Sequence, residues 1–332
     1  MASTRLAIDL GTANTVVILQ GKGVVIQEPT VVAVSPTEKR VVAVGSEAKE
    51  MLGRVPQGIE ARRPLQQGTI ASYRMTEALL KRFLNKALGS FRLFKPEVII
   101  SVPAGVTSVE ERAVIQALTA AGAGRIYLLP EPIAAAIGAQ MPIHTSAGNL
   151  IVNMGGGTSE IAVISLNGIV QAKSERIAGD ALNEAIIDHF RRNHKLAIGE
   201  PTAENIKITI GDAIETKHPL TMEVKGRSLQ SGLPESQEID SNEIAKVLRP
   251  NLNKIITAVH DVLSKTPPEL AADIIDNGIV LSGGTALLRN IDLLFTKALG
   301  VPAHIVDEPL FCVVRGLSAA LDNIDILKRN LR

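Results

Sequence analysis

The sequence predicts an α/β fold in which one unit of sheet and helix occurs twice, the two copies facing each other across a cleft. Three observations predict it. The stretches IDLGTANT, residues 8–15, and IVNMGGGTSE, residues 151–160, each follow an apolar β-prone run and turn sharply on glycine beside hydroxyl side chains. After each comes the same strand, turn, strand order, the mark of an internal duplication. A third stretch, IVLSGGTALLRNI at residues 279–291, runs strand, Gly-Gly, helix.

The elements follow in order. Residues 5–26 read as two strands joined through the glycine turn. The second, 15–20, leads by Gly21-Lys22-Gly23 into a third at 24–26, forming a β-meander. A smaller mixed segment ends near Pro64. Met75, Leu79, Leu80, Phe83, Leu84, Ala87 and Leu88 then repeat at helical spacing, and residues 98–102 form a buried strand. Ser108 with Glu111 reads as a capping box opening the helix of Val114, Ile115 and Leu118. Strands at 150–152, 161–165 and 169–172 repeat the opening meander. Asp180 is placed to cap a helix carrying Leu182, Ile186 and Phe190, and a second helix runs through Glu204, Ile206 and Lys207. Residues 217–240 turn polar, as short strands and exposed loops do. Residues 244–263 read as a long amphipathic helix, kinked at Pro250 and stopped by Pro267-Pro268.

A chain of 332 residues has room for roughly two domains. Its apolar share of 45% is aliphatic, with no Trp, two Tyr and six Phe, so surfaces for stacking bases are scarce. The 35 basic and 34 acidic residues leave a formal charge of +1, giving no field to draw in nucleic acid and no barrier to self-association. No nucleic-acid partner is expected. The single cysteine, Cys312, lies between Phe311 and Val313 and reads as a small buried hydrophobe in a reducing compartment. MASTRLAIDLG enters a strand at once, without the pattern of a secretion signal, and no run approaches the ~20 apolar residues of a membrane span. A soluble protein is expected, with attachment to a membrane surface left open.

Glycine hairpins of this kind bring backbone N–H groups against phosphate oxygens, and a facing pair suggests a jaw closing on a nucleotide. Asp9, at the end of the first strand, is placed to hold Mg²⁺ through water or, on the plainer reading, to stabilise its own turn. Glu131, in LLPEPIAAAIG, either projects into the cleft to orient an attacking water or is a helix-start carboxylate favoured by the dipole. Glu204 and Lys207 share a helical face, from which they reach ribose hydroxyls and the base or form a solvated ion pair.

IDLGTANT, GKGVVIQEPTVVA, VGSEAKEMLGR, PEPIAAAIGA, GGGTSEIAVISLNGIV, RIAGD, IGEPTAENIKITIG and GIVLSGGTALLRNID, spread over residues 8–292, closely resemble the MreB family of bacterial actin homologues. The resemblance implies an actin-like, ribonuclease H-like duplicated fold with two large and two small subdomains around a nucleotide cleft. Residues 1–28 with 70–141, and 142–184 with 256–332, would form the large subdomains; 29–69 and 185–255 the small ones. It also implies ATP or ADP with Mg²⁺, and assembly into paired protofilaments on the inner face of the cytoplasmic membrane. Partners would be a RodZ-type membrane adaptor and the cell-wall elongation machinery, the outcome maintenance of rod shape. On this resemblance Gly11, Thr12, Ala13 and Asn14 form the first phosphate loop with Asp9, and Gly155, Gly156, Gly157 and Thr158 the second. Glu131 positions the hydrolytic water. Glu204 and Lys207 contact the adenosine from one side, and Gly283, Gly284 and Thr285 close the other.

The family usually carries Asp where this chain has Asn153, which keeps the shape and loses the charge, so weakened hydrolysis is expected. Ser72 and Arg74 stand where the family tends to have acids, and Thr285 replaces a third glycine. Phe91-Arg92-Leu93-Phe94-Lys95 breaks helical patterning before Pro96, and by family analogy Leu93 and Phe94 insert into the bilayer with the cations on anionic headgroups; otherwise they tuck into the core. The same superfamily offers two alternatives, a sugar or acetate kinase and a chaperone-type ATPase. The first lacks a substrate-pocket signature here, the second a peptide-binding domain.

Overall fold

The computed structural model describes residues 4–37, 40–90 and 94–323. Two five-stranded sheets carry the architecture. The first runs Ile126–Pro130, Glu97–Val102, Arg5–Leu10, Asn14–Leu19, Gly23–Pro29, and the second Ala303–Ile305, Ile279–Ser282, Asn149–Met154, Ser159–Ser165, Gly168–Glu175. Each is an antiparallel meander extended by two parallel strands on its first member. Both meanders slip register between their second and third strands, between Val17 and Ile18 in one and, farther from the hairpin, between Val163 and Ile164 in the other. The expected duplication is therefore present in the order and direction of the strands of both sheets.

Strand alternation sends neighbouring side chains to different cores. Leu6, Ile8, Val98 and Ile100 pack against Leu79, Leu80, Phe83 and Leu84 of the helix Tyr73–Leu88. Their neighbours Ala7 and Ile99 face the other way. There they share one core with Ile151, Ala162 and Val280 of the second sheet, closed by the helices Glu131–Gly138 and Cys312–Asp322. The two sheets thus enclose a helix pair between them. That pair crosses at glycine: a Cβ on Gly138 would lie 1.8 Å from the Cys312 carbonyl oxygen, and one on Gly316 1.7 Å from that of Ala134. Only glycine permits so close an approach.

Two three-stranded sheets flank the large ones: Arg40–Val44, Val32–Ser35 and Glu60–Arg62, and Leu196–Ala197, Thr221–Ser228 and Pro234–Asp240.

Several local expectations are corrected. The capping box belongs to Thr107 and Glu110, one residue earlier than Ser108 and Glu111; TSVEE contains both registers, and the helix Ser108–Ala120 takes the first. Asp180 caps nothing with its side chain, since the helix Gly179–His189 starts a residue before it and Asp180 stands in the first turn. After Ser282 comes a single 3₁₀ turn, Gly284–Leu287, with the α-helix delayed to Ile291–Leu299. The long helix runs Ser241–Leu263 with Pro250 inside it, and Pro268 opens the following helix Pro268–Asn277. Cys312 is fully buried, and burial pushes its thiol up to about 11.

Candidate functional site

The two hairpins are built alike. Gly11 N–H donates to the Asn14 carbonyl at 3.1 Å, and Gly155 N–H to the Thr158 carbonyl at 2.9 Å. In the first, a Cβ at residue 11 would stand 2.7 Å from Asn14 O, so the turn requires glycine. The Thr30 hydroxyl donates to Gly11 O at 2.7 Å and lies 2.8 Å from the buried Thr15 hydroxyl, tying the hairpin to the strand behind it.

The hairpins also touch. A Cβ on Gly156 would be 2.6 Å from that of Ala13, and one on Gly157 2.5 Å from Thr12 Oγ1. They border one cavity of about 470 Å³, within the range of small-molecule sites. Asp9, Gly11, Ala13, Asn14, Glu131, Asn153, Gly155, Gly156, Glu204, Lys207, Gly283, Gly284 and Thr285 all line it. Thr12, Gly157 and Thr158 instead line a smaller cavity of about 60 Å³, which Gly11, Glu131, Gly155 and Gly156 border as well. Of the residues expected at a membrane, Leu93 lies outside the described residues. Phe94 lines neither cavity and is 70% exposed.

The third glycine stretch meets the second hairpin directly. Gly283, at φ 85°, passes so close to Met154 that a Cβ would sit 2.3 Å from its carbonyl oxygen. The Thr285 hydroxyl donates to Gly155 O at 2.8 Å. Lys207 Nζ donates to Gly179 O at 2.9 Å, at the start of the helix whose Asp180 N–H reaches Gly156 O at 2.8 Å. Burial lowers the Lys207 pKa, with Glu204 and Asp180 opposing. Ile208, Leu287 and Leu310 give the cavity an apolar wall at this end, all three substantially exposed.

Carboxylates crowd the opposite end. Asp9 accepts from the Ser101 hydroxyl at 2.9 Å, and burial pushes its pKa up to about 6. Glu131 opens its helix after Pro130 and is raised well above the usual range, first by burial, then by Glu160 and Asp9. Asn153 opposes that rise by donating Nδ2 to Glu131 Oε1 at 2.5 Å. These are hard oxygen donors whose charges repel one another, a set that fits Mg²⁺. Asp9 would hold the ion, which would neutralise charge on phosphate oxygens.

Sequence reasoning missed five charged residues here. Glu160 is fully buried, accepting from the Ser174 hydroxyl at 2.6 Å and the Ala104 N–H at 3.0 Å, and its pKa is raised by burial. A glutamate inside the buried strand Ser159–Ser165 was the available signal. Arg63 reaches from beside the strand Glu60–Arg62 to the Thr12 and Ala13 carbonyls, both at 3.3 Å, and pairs with Glu200 at 2.6 Å. Lys49 pairs with Glu204 at 2.8 Å. Burial lifts the Glu204 carboxyl, but Lys49 outweighs it and the pKa falls below the ordinary value. Asp180 lines the main cavity, its pKa raised by burial against the pull of Arg63.

The family profile described as MreB/Mbl protein matches residues 3–329. The cell shape-determining protein MreB of Escherichia coli K12 is 46% identical over 331 residues, covering 98% of this chain and 95% of that protein. The cell shape-determining protein Mbl of Bacillus subtilis is 43% identical over the full length of both. Among solved structures, MreB5 of Spiroplasma citri bound to ADP superposes with a TM-score of 0.94 at 34% identity, covering 99% of each chain, and its AMPPNP complex does the same. The MamK double helical filament, at 20% identity and a TM-score of 0.79, shares the fold. Duplicated sheets, matching length and sustained identity leave one assignment: the fold is actin-like, and the chain belongs to the MreB/Mbl family.

Proposed function

We propose that this chain is an ATP-binding cytoskeletal protein that polymerises into membrane-associated filaments and maintains rod shape by organising cell-wall synthesis. One observation carries the reading: two glycine hairpins from duplicated halves, in contact with each other, border a single cavity. Support comes from relatives named for determining cell shape and from MreB5 structures bound to ADP and AMPPNP.

On this reading the amides of residues 11–14 and 155–158 hold the phosphates. Glu204 and Lys207 flank the adenosine, Gly283, Gly284 and Thr285 close over it, and the apolar wall covers the base. Magnesium, with Asp9 holding it through water, supplies counter-charge. Glu131 positions the attacking water. Asn153 orients Glu131 by an uncharged hydrogen bond, and hydrolysis is slow in consequence. A RodZ-type adaptor and the wall-elongation machinery are the partners in this scheme, and the cytoplasmic face of the membrane is its location.

Sedimentation with negative-stain microscopy tests it. Filaments that form with Mg-ATP and not without nucleotide are the expected result. A chain that binds ATP, stays monomeric and phosphorylates a sugar or acetate would make it a kinase instead.

A further inference from the structure

Away from the cavity, the helix Gly179–His189 continues as a five-residue π-helical turn, Phe190–His194, closed by Lys195 in the left-handed conformation at φ 52°. In an α-helix, positions five apart diverge around the axis; a π-turn brings them onto one face, and such turns concentrate at functional sites. Here the pair so aligned is His189 and His194, with ring centroids 5.3 Å apart. Phe190 anchors the turn, fully buried and 5.1 Å from the His194 ring.

Both imidazoles point their Nε2 atoms at the same oxygen, Glu243 Oε1, at 2.5 and 2.6 Å. Glu243 comes from a separate element, the first turn of the helix Ser241–Leu263. Asp240 fixes that turn by accepting from the N–H groups of Asn242 and Glu243 at 2.8 and 2.9 Å. The three ligand atoms lie within 4.8 Å of one another. Two histidines and a glutamate converging from two rigid elements form a three-ligand set that leaves a tetrahedral fourth position open.

We propose that His189, His194 and Glu243 bind a borderline divalent cation, zinc foremost, with water in the fourth position. One dication would replace the two imidazole protons that now converge on Oε1. Bonds of about 2.05 Å place tetrahedral donors about 3.3 Å apart, so the side chains must spread by about 0.7 Å. With side-chain exposures of 14%, 16% and 35%, they have room to do so. Nitrogen donors select zinc over magnesium, which prefers an all-oxygen shell, so this site is distinct from the carboxylate cluster in the cleft. The bound ion would clip the π-turn to the start of the long helix.

The test is zinc titration of the chelator-treated full-length protein by calorimetry, in millimolar magnesium. The expected result is one zinc per chain, with affinity falling at least tenfold in both His194→Ala and Glu243→Gln and unchanged in His260→Ala. Cobalt substitution supplies a spectroscopic readout: the strong visible bands of tetrahedral coordination in the native chain, lost in Glu243→Gln. That variant keeps the side chain's size, so it reads ligation even where His194→Ala fails to fold. Failure of the native chain to take up zinc, or equal uptake by a folded Glu243→Gln variant, overturns the proposal.

Discussion

Asn153 bridges Glu131 and Ser282, donating its amide to Glu131 Oε1 at 2.5 Å and accepting the Ser282 hydroxyl on its own oxygen at 2.8 Å. Both ends of the amide are used, so its orientation is fixed by partners on two different elements. An aspartate would keep the oxygen for Ser282 but bring a negative charge toward Glu131, where a cation must balance it. Asn153→Asp is therefore expected to raise ATP turnover by on the order of 10²-fold in the presence of magnesium. Phosphate release measured on both proteins decides the matter, and native turnover equal to or above that of the variant removes the role given to Asn153.

Burial of Asp9 makes the nucleotide-free protein sensitive to pH in an uncommon direction. Its folded pKa of about 6 lies above the ordinary value of 3.8, so between these values the folded state binds the extra proton. The resulting stabilisation is fully present below about 4 and is lost as pH rises through about 6. Melting temperature without nucleotide should thus fall between pH 5 and pH 7.5, and Asp9→Asn should flatten that slope. An identical slope in the variant would place its origin elsewhere.

The helix crossing at Gly138 and Gly316 leaves no space for a methyl group. Gly316→Ala should cost about 3 kcal/mol or more, through forced separation of the two helices. Gly168→Ala is the control: its added Cβ meets only Ser165 O, at 3.6 Å, and should cost less than about 1 kcal/mol. Urea denaturation of the three proteins measures both.

Phe94 is 70% exposed, Lys95 beside it is exposed, and no helix among the described residues is long and apolar enough to cross a membrane. An apolar ring beside a cation is suited to shallow insertion among anionic headgroups. The double variant Leu93→Ala, Phe94→Ala should lose most pelleting with anionic liposomes while still assembling with ATP. Undiminished pelleting would take this loop out of the membrane account.

What the sequence disclosed was what the backbone demands locally. Gly11 sits in a hairpin whose close approach to Asn14 O requires glycine, and the helix Tyr73–Leu88 shows its buried stripe at regular spacing. Where two registers were chemically equivalent, as with Thr107 and Ser108, one residue of error followed. Arg63 and Glu200 were invisible for a different reason: they stand 137 positions apart, and neither carries a local pattern that announces the other. Glu204 showed its helical partner Lys207 but not Lys49, which arrives from the opposite half. Glu160 was legible and overlooked, a lone charge in an otherwise buried strand.

The pairs Arg63–Glu200 and Lys49–Glu204 join opposite halves of the chain beside the cavity before any ligand is present. Their strength depends on ionic conditions, the more so because Glu200 and Lys49 are partly exposed. Added salt loosens this fastening and also weakens attraction for an anionic guest. Both effects hasten release of that guest, so its dissociation rate should rise steadily with electrolyte.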